Sequence, residues 1–329
     1  EAIIRTLTKC VMQPQSAGLG AAQIHDIAVF LTGREPGASP AIAPPAHQYA
    51  RTGPAFGLKA GDWNGWRPEP TNARFQAKPG FTADALPRLK VKWAFAYPDI
   101  AYGEPTVVAG RIYITSRAGW VFSLDARTGC TYWAIDAGAR VRTPMSIGAL
   151  PAGAPAAYAA YFGDEKGNVF AVDAATGKQL WKVSVDPHPL ARITGAPKLY
   201  KGRLYVPVSL MEEVGGGTDS YQCCTFRGSV VAMDATTGKI LWKSYSVREE
   251  PKPTRKNDAG TQMYGPAGGA IWNSPTIDAK RKLIYVGTGD SYTDVPTDST
   301  DAVIALDLET GKRVWTQQVK QHDDWLVGC

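Results

Sequence analysis

The sequence predicts an all-β protein, a β-propeller of four-stranded blades. The pattern Asp-x-x-Thr-Gly-x-x-x-Trp occurs four times, from Asp125 to Trp133, Asp173 to Trp181, Asp234 to Trp242 and Asp307 to Trp315. Each copy follows an apolar run, at 121–124, 169–172, 230–233 and 303–306. That combination is a strand, a tight turn whose glycine supplies positive φ, and a second strand carrying the tryptophan. The tryptophans are 48, 61 and 73 residues apart. These are blade lengths, with loops that grow along the chain.

Bulk properties narrow the function. The 329 residues exceed what one domain normally needs. No run of 18 or more apolar residues occurs, so no membrane-spanning helix is predicted. The net charge is +6, with Lys and Arg scattered along the chain, which indicates solubility rather than nucleic-acid binding. Five cysteines, two of them adjacent, do not make a small disulfide scaffold. The sequence opens at Glu1 with neither Met nor a signal peptide and stops just after a strand pattern. Both ends therefore read as cut, and a fragment of a longer protein is expected.

Residues 1–34 stand apart from the propeller. Ile24, Ile27, Ala28 and Leu31 have the spacing of one helix face, and Gly33 follows as a stop. Met12-Gln13-Pro14 precedes this helix. A Met-x-Pro segment before a terminal amphipathic helix resembles the end of a class I cytochrome c, with Met12 as axial haem ligand. An ordinary loop methionine fits these residues equally. The haem-attachment motif Cys-x-x-Cys-His is absent from the sequence. Residues 35–60, with Pro36, Pro40, Pro44, Pro45 and Pro54, read as a semi-extended linker.

The propeller part spans 61–329. Residues 89–95, Leu-Lys-Val-Lys-Trp-Ala-Phe, are predicted as the outer strand of a blade whose inner strands come from elsewhere. Four blades follow, over about 105–136, 143–184, 195–245 and 273–319. In an up-and-down meander, the turns joining strands one to two and three to four share one face. Those turns are short, including all four Thr-Gly turns. The opposite face carries the long segments 185–194, 210–227, 246–272, 289–300 and 320–329. Long loops on a rigid scaffold are where a site is expected.

Several residues on that face could carry chemistry. Cys223-Cys224 is either a vicinal disulfide or a pair of free thiols. Glu212, Glu213 and Asp290 offer hard oxygen ligands for Ca²⁺ from neighbouring blades, or are solvated charges. Trp272 could stack on a planar ligand or fill the core. The four recurring tryptophans are expected to pack blade against blade.

Together these motifs resemble the quinoprotein alcohol dehydrogenases, eight-bladed propellers that bind pyrroloquinoline quinone (PQQ) and Ca²⁺. Within them the likeness is to the polyvinyl-alcohol dehydrogenase (cytochrome) group, which joins a cytochrome c to such a propeller. It is carried by Trp63-Asn64-Gly65-Trp66, Thr128-Gly129-Cys130, the string Cys223-Cys224-Thr225-Phe226-Arg227-Gly228 and Trp272-Asn273-Ser274-Pro275. The resemblance implies about half of such a propeller, in a periplasmic or secreted bacterial protein that binds PQQ, Ca²⁺ and haem c. It implies that Thr194 bonds the quinone carboxylates and that Glu213, rather than Glu212, binds calcium. Asp290 stands where the family has a calcium-binding Asn. Trp272 would stack under PQQ, and Cys223-Cys224 would form the disulfide beside it. One departure stands out. The family's base follows Trp in His-Asp-x-Trp-Asp, whereas His322-Asp323-Asp324-Trp325 is followed by Leu326. Asp324, or Asp323, is the expected substitute. The implied reaction oxidises an alcohol and passes electrons to a fused or separate cytochrome c. The alternative is a non-catalytic propeller of PQQ-like repeats acting as an envelope assembly scaffold.

Overall fold

The computed structural model describes residues 2–9, 13–32, 35, 56–59, 61–65, 71–73, 75–76, 79–100 and 102–327. The chain divides into two compact units, residues 1–43 with 327–329, and residues 44–326.

The first unit holds helices α1 (Ala2–Lys9) and α2 (Ala21–Thr32), with a 3₁₀ turn at Pro14–Ser16. Ser16 Oγ donates to Leu7 O and Gln13 O, tying the turn to α1. The predicted helix is α2. Ile24 and Ala28 are buried, but Leu31 is exposed, so its buried stripe is narrower than the spacing suggested. Met12 lies outside the described residues.

The second unit contains four antiparallel four-stranded meanders. Blade 1 is β1 (Thr106–Val108), β2 (Arg111–Thr115), β3 (Trp120–Asp125) and β4 (Thr131–Asp136). Blade 2 is β5 (Ser146–Ala149), β6 (Tyr158–Gly163), β7 (Asn168–Asp173) and β8 (Gln179–Ser184). The short β9 (Ala191–Arg192) precedes blade 3, which is β10 (Lys198–Tyr200), β11 (Arg203–Leu210), β12 (Ser229–Asp234) and β13 (Ile240–Tyr245). A hairpin, β14 (Lys252–Lys256) and β15 (Gln262–Gly265), occupies the next crossover. Blade 4 is β16 (Thr276–Asp278), β17 (Leu283–Gly287), β18 (Ala302–Asp307) and β19 (Arg313–Gln318).

The repeat has a local cause. In the blade 3 turn, Asp234 Oδ1 accepts from Thr236 N, Thr237 N and Thr237 Oγ1 at 2.8–3.0 Å. Thr237 Oγ1 in turn accepts from Lys239 N at 3.3 Å. Asp125 and Asp307 cap their turns in the same way. The glycine has two reasons to be glycine. Gly238 has φ of 74°, and a Cβ there would meet Trp181 at 2.9 Å.

That contact is the docking rule between blades. Trp133 lies over Gly177, Trp181 over Gly238 and Trp242 over Gly311. Each tryptophan also pairs with a tyrosine of its own blade's second strand. The pairs are Tyr113–Trp133, Tyr161–Trp181, Tyr205–Trp242 and Tyr285–Trp315, with ring centroids 5.8–5.9 Å apart. Such pairs contribute about 0.5–1.5 kcal/mol beyond area burial. The hydroxyls of Tyr113, Tyr161 and Tyr205 cross to the next blade, as when Tyr161 donates to Ala235 O at 3.0 Å. Trp315 departs from the expected blade-to-blade packing: it is 42% exposed, because among the described residues no turn glycine lies against it.

The segment 89–95, predicted as an outer strand whose inner strands come from elsewhere, has no partner strand among the described residues. It forms no ladder, since a strand exists only with a hydrogen-bonded partner. Its tryptophan nevertheless obeys the docking rule. A Cβ on Gly129 would meet Trp93 at 2.7 Å, and Trp93 Nε1 donates to Ala126 O at 3.3 Å. The segment therefore takes the place of a preceding blade's last strand.

The residues just after 60 run along the first strands of all four blades. Trp63 pairs with Val107, and the Asn64 amide exchanges two hydrogen bonds with Ile147. Asn72 donates to Ser274 O, Pro275 O and Thr276 Oγ1, and accepts from Lys198 Nζ at 2.8 Å. Phe56 and Leu58, from the predicted linker, pack on the core cluster shared by blades 1 and 2.

Candidate functional site

The meander topology puts the loops between second and third strands on the same face as the crossovers between blades, as the loop lengths predicted. In blade 3 that loop starts with helix α3 (Glu212–Gly216). Successive helical residues point about 100° apart, so the two glutamates meet different surroundings. Glu212 is fully buried and accepts from Thr225 N, Phe226 N and Tyr221 Oη at 2.8–3.1 Å. His188 Nε2 lies 3.5 Å from it. Burial raises the Glu212 carboxyl, but hydrogen bonds from His188, Thr225 and Phe226 overcome this and hold it below its usual range. Glu212 thus clasps the segment that follows the cysteine pair.

Glu213 does the opposite. It is 7% exposed, and its Oε2 is buried without a hydrogen-bond partner. Burial, with the Asp290 charge added, pushes its carboxyl up to about 7. Asp290, in the blade 4 loop, also has a buried unpartnered oxygen, Oδ2. Burial and the charges of Asp301 and Asp323 push it up to about 6. Two carboxylates that each bury an unused oxygen, the charge of one acting on the other, suit a hard cation. No group of three or more His, Cys, Asp or Glu gathers in metal-binding proximity among the described residues, so a cation here needs other oxygens as well.

Cys223 and Cys224 are disulfide-bonded and fully buried. Cys224 N donates to Tyr264 O, and Tyr264 N donates to Cys223 O, which anchors the β14–β15 hairpin on the pair. Beside Cys223 lies a cavity of about 180 Å³, walled by Met263, Tyr264, Tyr292, Asp324, Trp325 and Leu326 among others. Leu326 packs on the core cluster containing Cys223.

Trp272 is partly buried. Its Nε1 is 3.2 Å from where a Gly289 Cβ would stand, one residue before Asp290. Gly195 is pressed on the Trp272 and Asn273 backbone, where a Cβ would meet carbonyl atoms at 2.8 Å. Thr194, next to it, is buried and bonded to Ser209 Oγ at 2.8 Å. Gly268 lets the crossover approach the blade 4 loop, with φ of 114° and a Cβ position 2.6 Å from Asp290 O. Close contacts at Gly195 and Gly289 thus bring Thr194 to Trp272, and the Trp272 ring to the residue before Asp290. The charge of Asp323 acts on Asp290 and Asp301, while its carboxylate pairs with Lys320 at 2.9 Å. Asp324 lines the disulfide cavity instead.

Sequence reasoning missed two groups. Asp301 has a buried, unpartnered Oδ2, and burial together with the Asp323 charge raises it. The second group is cationic. Arg192 Nη1 bonds Glu165 Oε2 at 2.7 Å, and Arg117 Nε lies 3.4 Å from Glu165 Oε1. Arg192 also feels the charges of Arg140 and Glu213. Arg142 lies over the Tyr102 ring, 4.7 Å from its centroid. These arginines look scattered in sequence, yet converge because each sits in a loop or crossover of this one face. Their place in those segments was the usable signal. The site is therefore two-sided, with cations gathered from blades 1 and 2 and unpartnered carboxylates from blades 3 and 4.

Residues 190–327 match the family model described as PQQ, glucose/ethanol/alcohol dehydrogenase, β-propeller domain. The chain is 46% identical to a polyvinylalcohol dehydrogenase of Pseudomonas sp., over 100% of this chain and 54% of that protein. It is 49% identical to one of Sphingopyxis sp. (strain 113P3), over 82% and 41%. Among solved structures it superposes on the quinohemoprotein alcohol dehydrogenase of Comamonas testosteroni with a TM-score of 0.63 and 25% identity, covering 80% of this chain and 42% of that one. The chain thus spans about half the length of the curated relatives it matches.

Proposed function

We propose that this chain, whose residues 190–327 match that β-propeller model, forms a cofactor-binding part of a PQQ- and Ca²⁺-dependent enzyme. That enzyme oxidises alcohols, polymeric secondary ones included, and passes the electrons to a cytochrome c. One observation carries the reading: Glu213 and Asp290 each hold a buried, unpartnered oxygen, and the Asp290 charge acts on Glu213, on the face where the arginines gather. Relatives named polyvinylalcohol dehydrogenase support the substrate class. A propeller serving only as a protein scaffold would leave those two buried oxygens without a partner.

When bound, the quinone supplies a two-electron acceptor and calcium a Lewis acid beside it. The chain's own residues do the rest. The arginines of the cationic side offer charge-assisted hydrogen bonds to carboxylates, and Thr194 adds a hydroxyl. Trp272 offers an aromatic face for a planar ring system. Glu213 and Asp290 would hold the cation, giving up on its binding the protons that burial favours. The disulfide walls the cavity and limits water. Leu326 cannot take a proton, so the substrate hydroxyl gives its proton to Asp324 or Asp323. In this reading residues 1–34 would be the end of a cytochrome c domain in which Met12 would serve as a haem ligand, and the protein would work in the periplasm or outside the cell.

The test is quinone titration of the full-length protein with and without Ca²⁺, followed by tryptophan fluorescence. Binding should require Ca²⁺, and Trp272→Ala should weaken it by about 1–3 kcal/mol. In the loaded enzyme, Asp324→Asn or Asp323→Asn should cut turnover at least about a hundredfold with quinone binding intact. Quinone binding that ignores both calcium and Trp272 would sink the reading.

A further inference from the structure

Next to the disulfide cavity lies a larger one, of about 400 Å³, between the blade 4 loop and the segment after β19. The two share Thr293, Asp294 and Asp324 in their walls. Its volume falls in the usual range of small-molecule sites, roughly 300–1,000 Å³, but its chemistry is unusual for one. Hydroxyl, amide and carboxylate groups, among them Thr297, Asp298, Thr300, Gln318 and Gln321, share the wall with His322 and with apolar surface that includes Val295 and Pro296. The Thr293 hydroxyl is buried without a hydrogen-bond partner.

The wall is built to keep its shape. Gln318 Nε2 donates to Thr297 O and Thr300 O at 3.0 and 3.1 Å. Ser291 Oγ donates to Thr293 O at 2.7 Å. Across the boundary between the cavities, Arg255 of the β14–β15 hairpin pairs with Asp294 at 3.1 Å. Gly265 at the hairpin's end abuts the same loop, with a Cβ position 2.7 Å from Val295.

Charge and hydrogen-bonding type select the ligand. Four aspartates in the wall repel an anion. Two of them, Asp294 and Asp323, are already paired with Arg255 and Lys320, which weakens the case for a polycation. What remains is a surface rich in acceptors with a few donors, and that suits neutral hydroxyl groups.

We propose that this cavity is a subsite for a hydroxyl-rich chain, holding the neighbouring hydroxyls of a polyol while one of them enters the disulfide cavity past Thr293 and Asp324. The inference rests on the alcohol-oxidising reading above and adds where the chain of a polymeric alcohol lies. It predicts that binding improves with the number of hydroxyls, whether or not quinone is present.

The test uses the full-length protein, a short oligomer of repeated 1,3-diols and the monomeric alcohol 2-propanol. NMR line broadening of the oligomer measures binding without quinone, and KM values are measured with quinone and Ca²⁺ loaded. Thr293→Val, which keeps the shape, and Gln321→Ala, which is less integral to the wall, should each weaken oligomer binding about tenfold. Each should raise the ratio of oligomer KM to 2-propanol KM by a similar factor. Equal oligomer binding by parent and both variants overturns the subsite, even if quinone-dependent oxidation of 2-propanol proceeds. Tighter binding of spermidine than of the oligomer overturns it as well. Oligomer binding that the variants lose, in a protein that takes up no quinone, keeps the subsite and overturns the dehydrogenase reading instead.

Discussion

On the turn face, Asp125 places both carboxylate oxygens within 2.7–3.0 Å of donors from Arg127, Thr128 and Tyr132. On the loop face, Glu213 and Asp290 each leave an oxygen buried with no donor at all. One group is thus treated in opposite ways at the two ends of the same blades. Desolvation raises the carboxyls of Asp125 and Glu213 alike, but only Asp125 has hydrogen bonds enough to end below its usual range, while Glu213 rises to about 7. A turn carboxylate with donors is part of the scaffold. A buried one without them destabilises the fold by itself, and is explicable when something cationic belongs beside it.

The sharpest way to break this contrast is Glu213→Gln. Calcium affinity should fall about a hundredfold, the upper end of what losing a well-placed partner of a metal costs, read by calcium titration of the quinone-loaded protein. In the metal-free protein the same change should raise Tm, because a buried charge is removed. A fall in metal-free Tm would put Glu213 with the turn aspartates. Next in size is Gly238→Ala on the other face. It forces a Cβ into positive φ and against Trp181, and should cost about 2 kcal/mol in denaturant unfolding. Asp234→Ala removes the cap of that same turn and should cost about 1 kcal/mol. A stabilising result there would erase the distinction between the faces.

The contrast also shows in pH dependence, and its sign differs between the faces. Glu213 has its folded value raised from 4.5 to about 7, so the folded state holds the proton more tightly. Its contribution is fully present below about 4.5 and is lost as pH rises toward about 7 in the metal-free protein. Asp307 is held below its ordinary 3.8, chiefly by Thr310. Its contribution is present above that value and is lost as pH falls through the lowered one. Thermal unfolding of the metal-free protein between pH 5 and 7.5 should show the first slope, and saturating calcium should flatten it.

Much of this architecture was legible because its causes are local. The Asp-to-Thr hydrogen bonds span three residues, the turn glycine answers a local φ, and the meander fixes which loops share a face. The tyrosines at 113, 161, 205 and 285 were legible too, since they recur on the second strand of every blade, but tryptophan spacing alone does not reveal them. Trp93 shows the limit of pattern reading. Its docking place was predictable, but the strand around it was not realised, because a strand depends on a partner elsewhere.

The sequence by itself determined the four blades, their Trp-Gly docking and the face on which the long loops gather. Only the tertiary structure decided how Glu212 and Glu213 divide their work. They are adjacent and chemically identical, but one turns into four donors and the other keeps a buried oxygen with none. Tertiary structure alone also gathered the arginines around Glu165 and laid Asn72 against Ser274, 202 residues away. The physical reason is that a turn's hydrogen bonds are set by neighbours in sequence. Desolvation and charge are set by neighbours in space, and those are known only once the blades have packed.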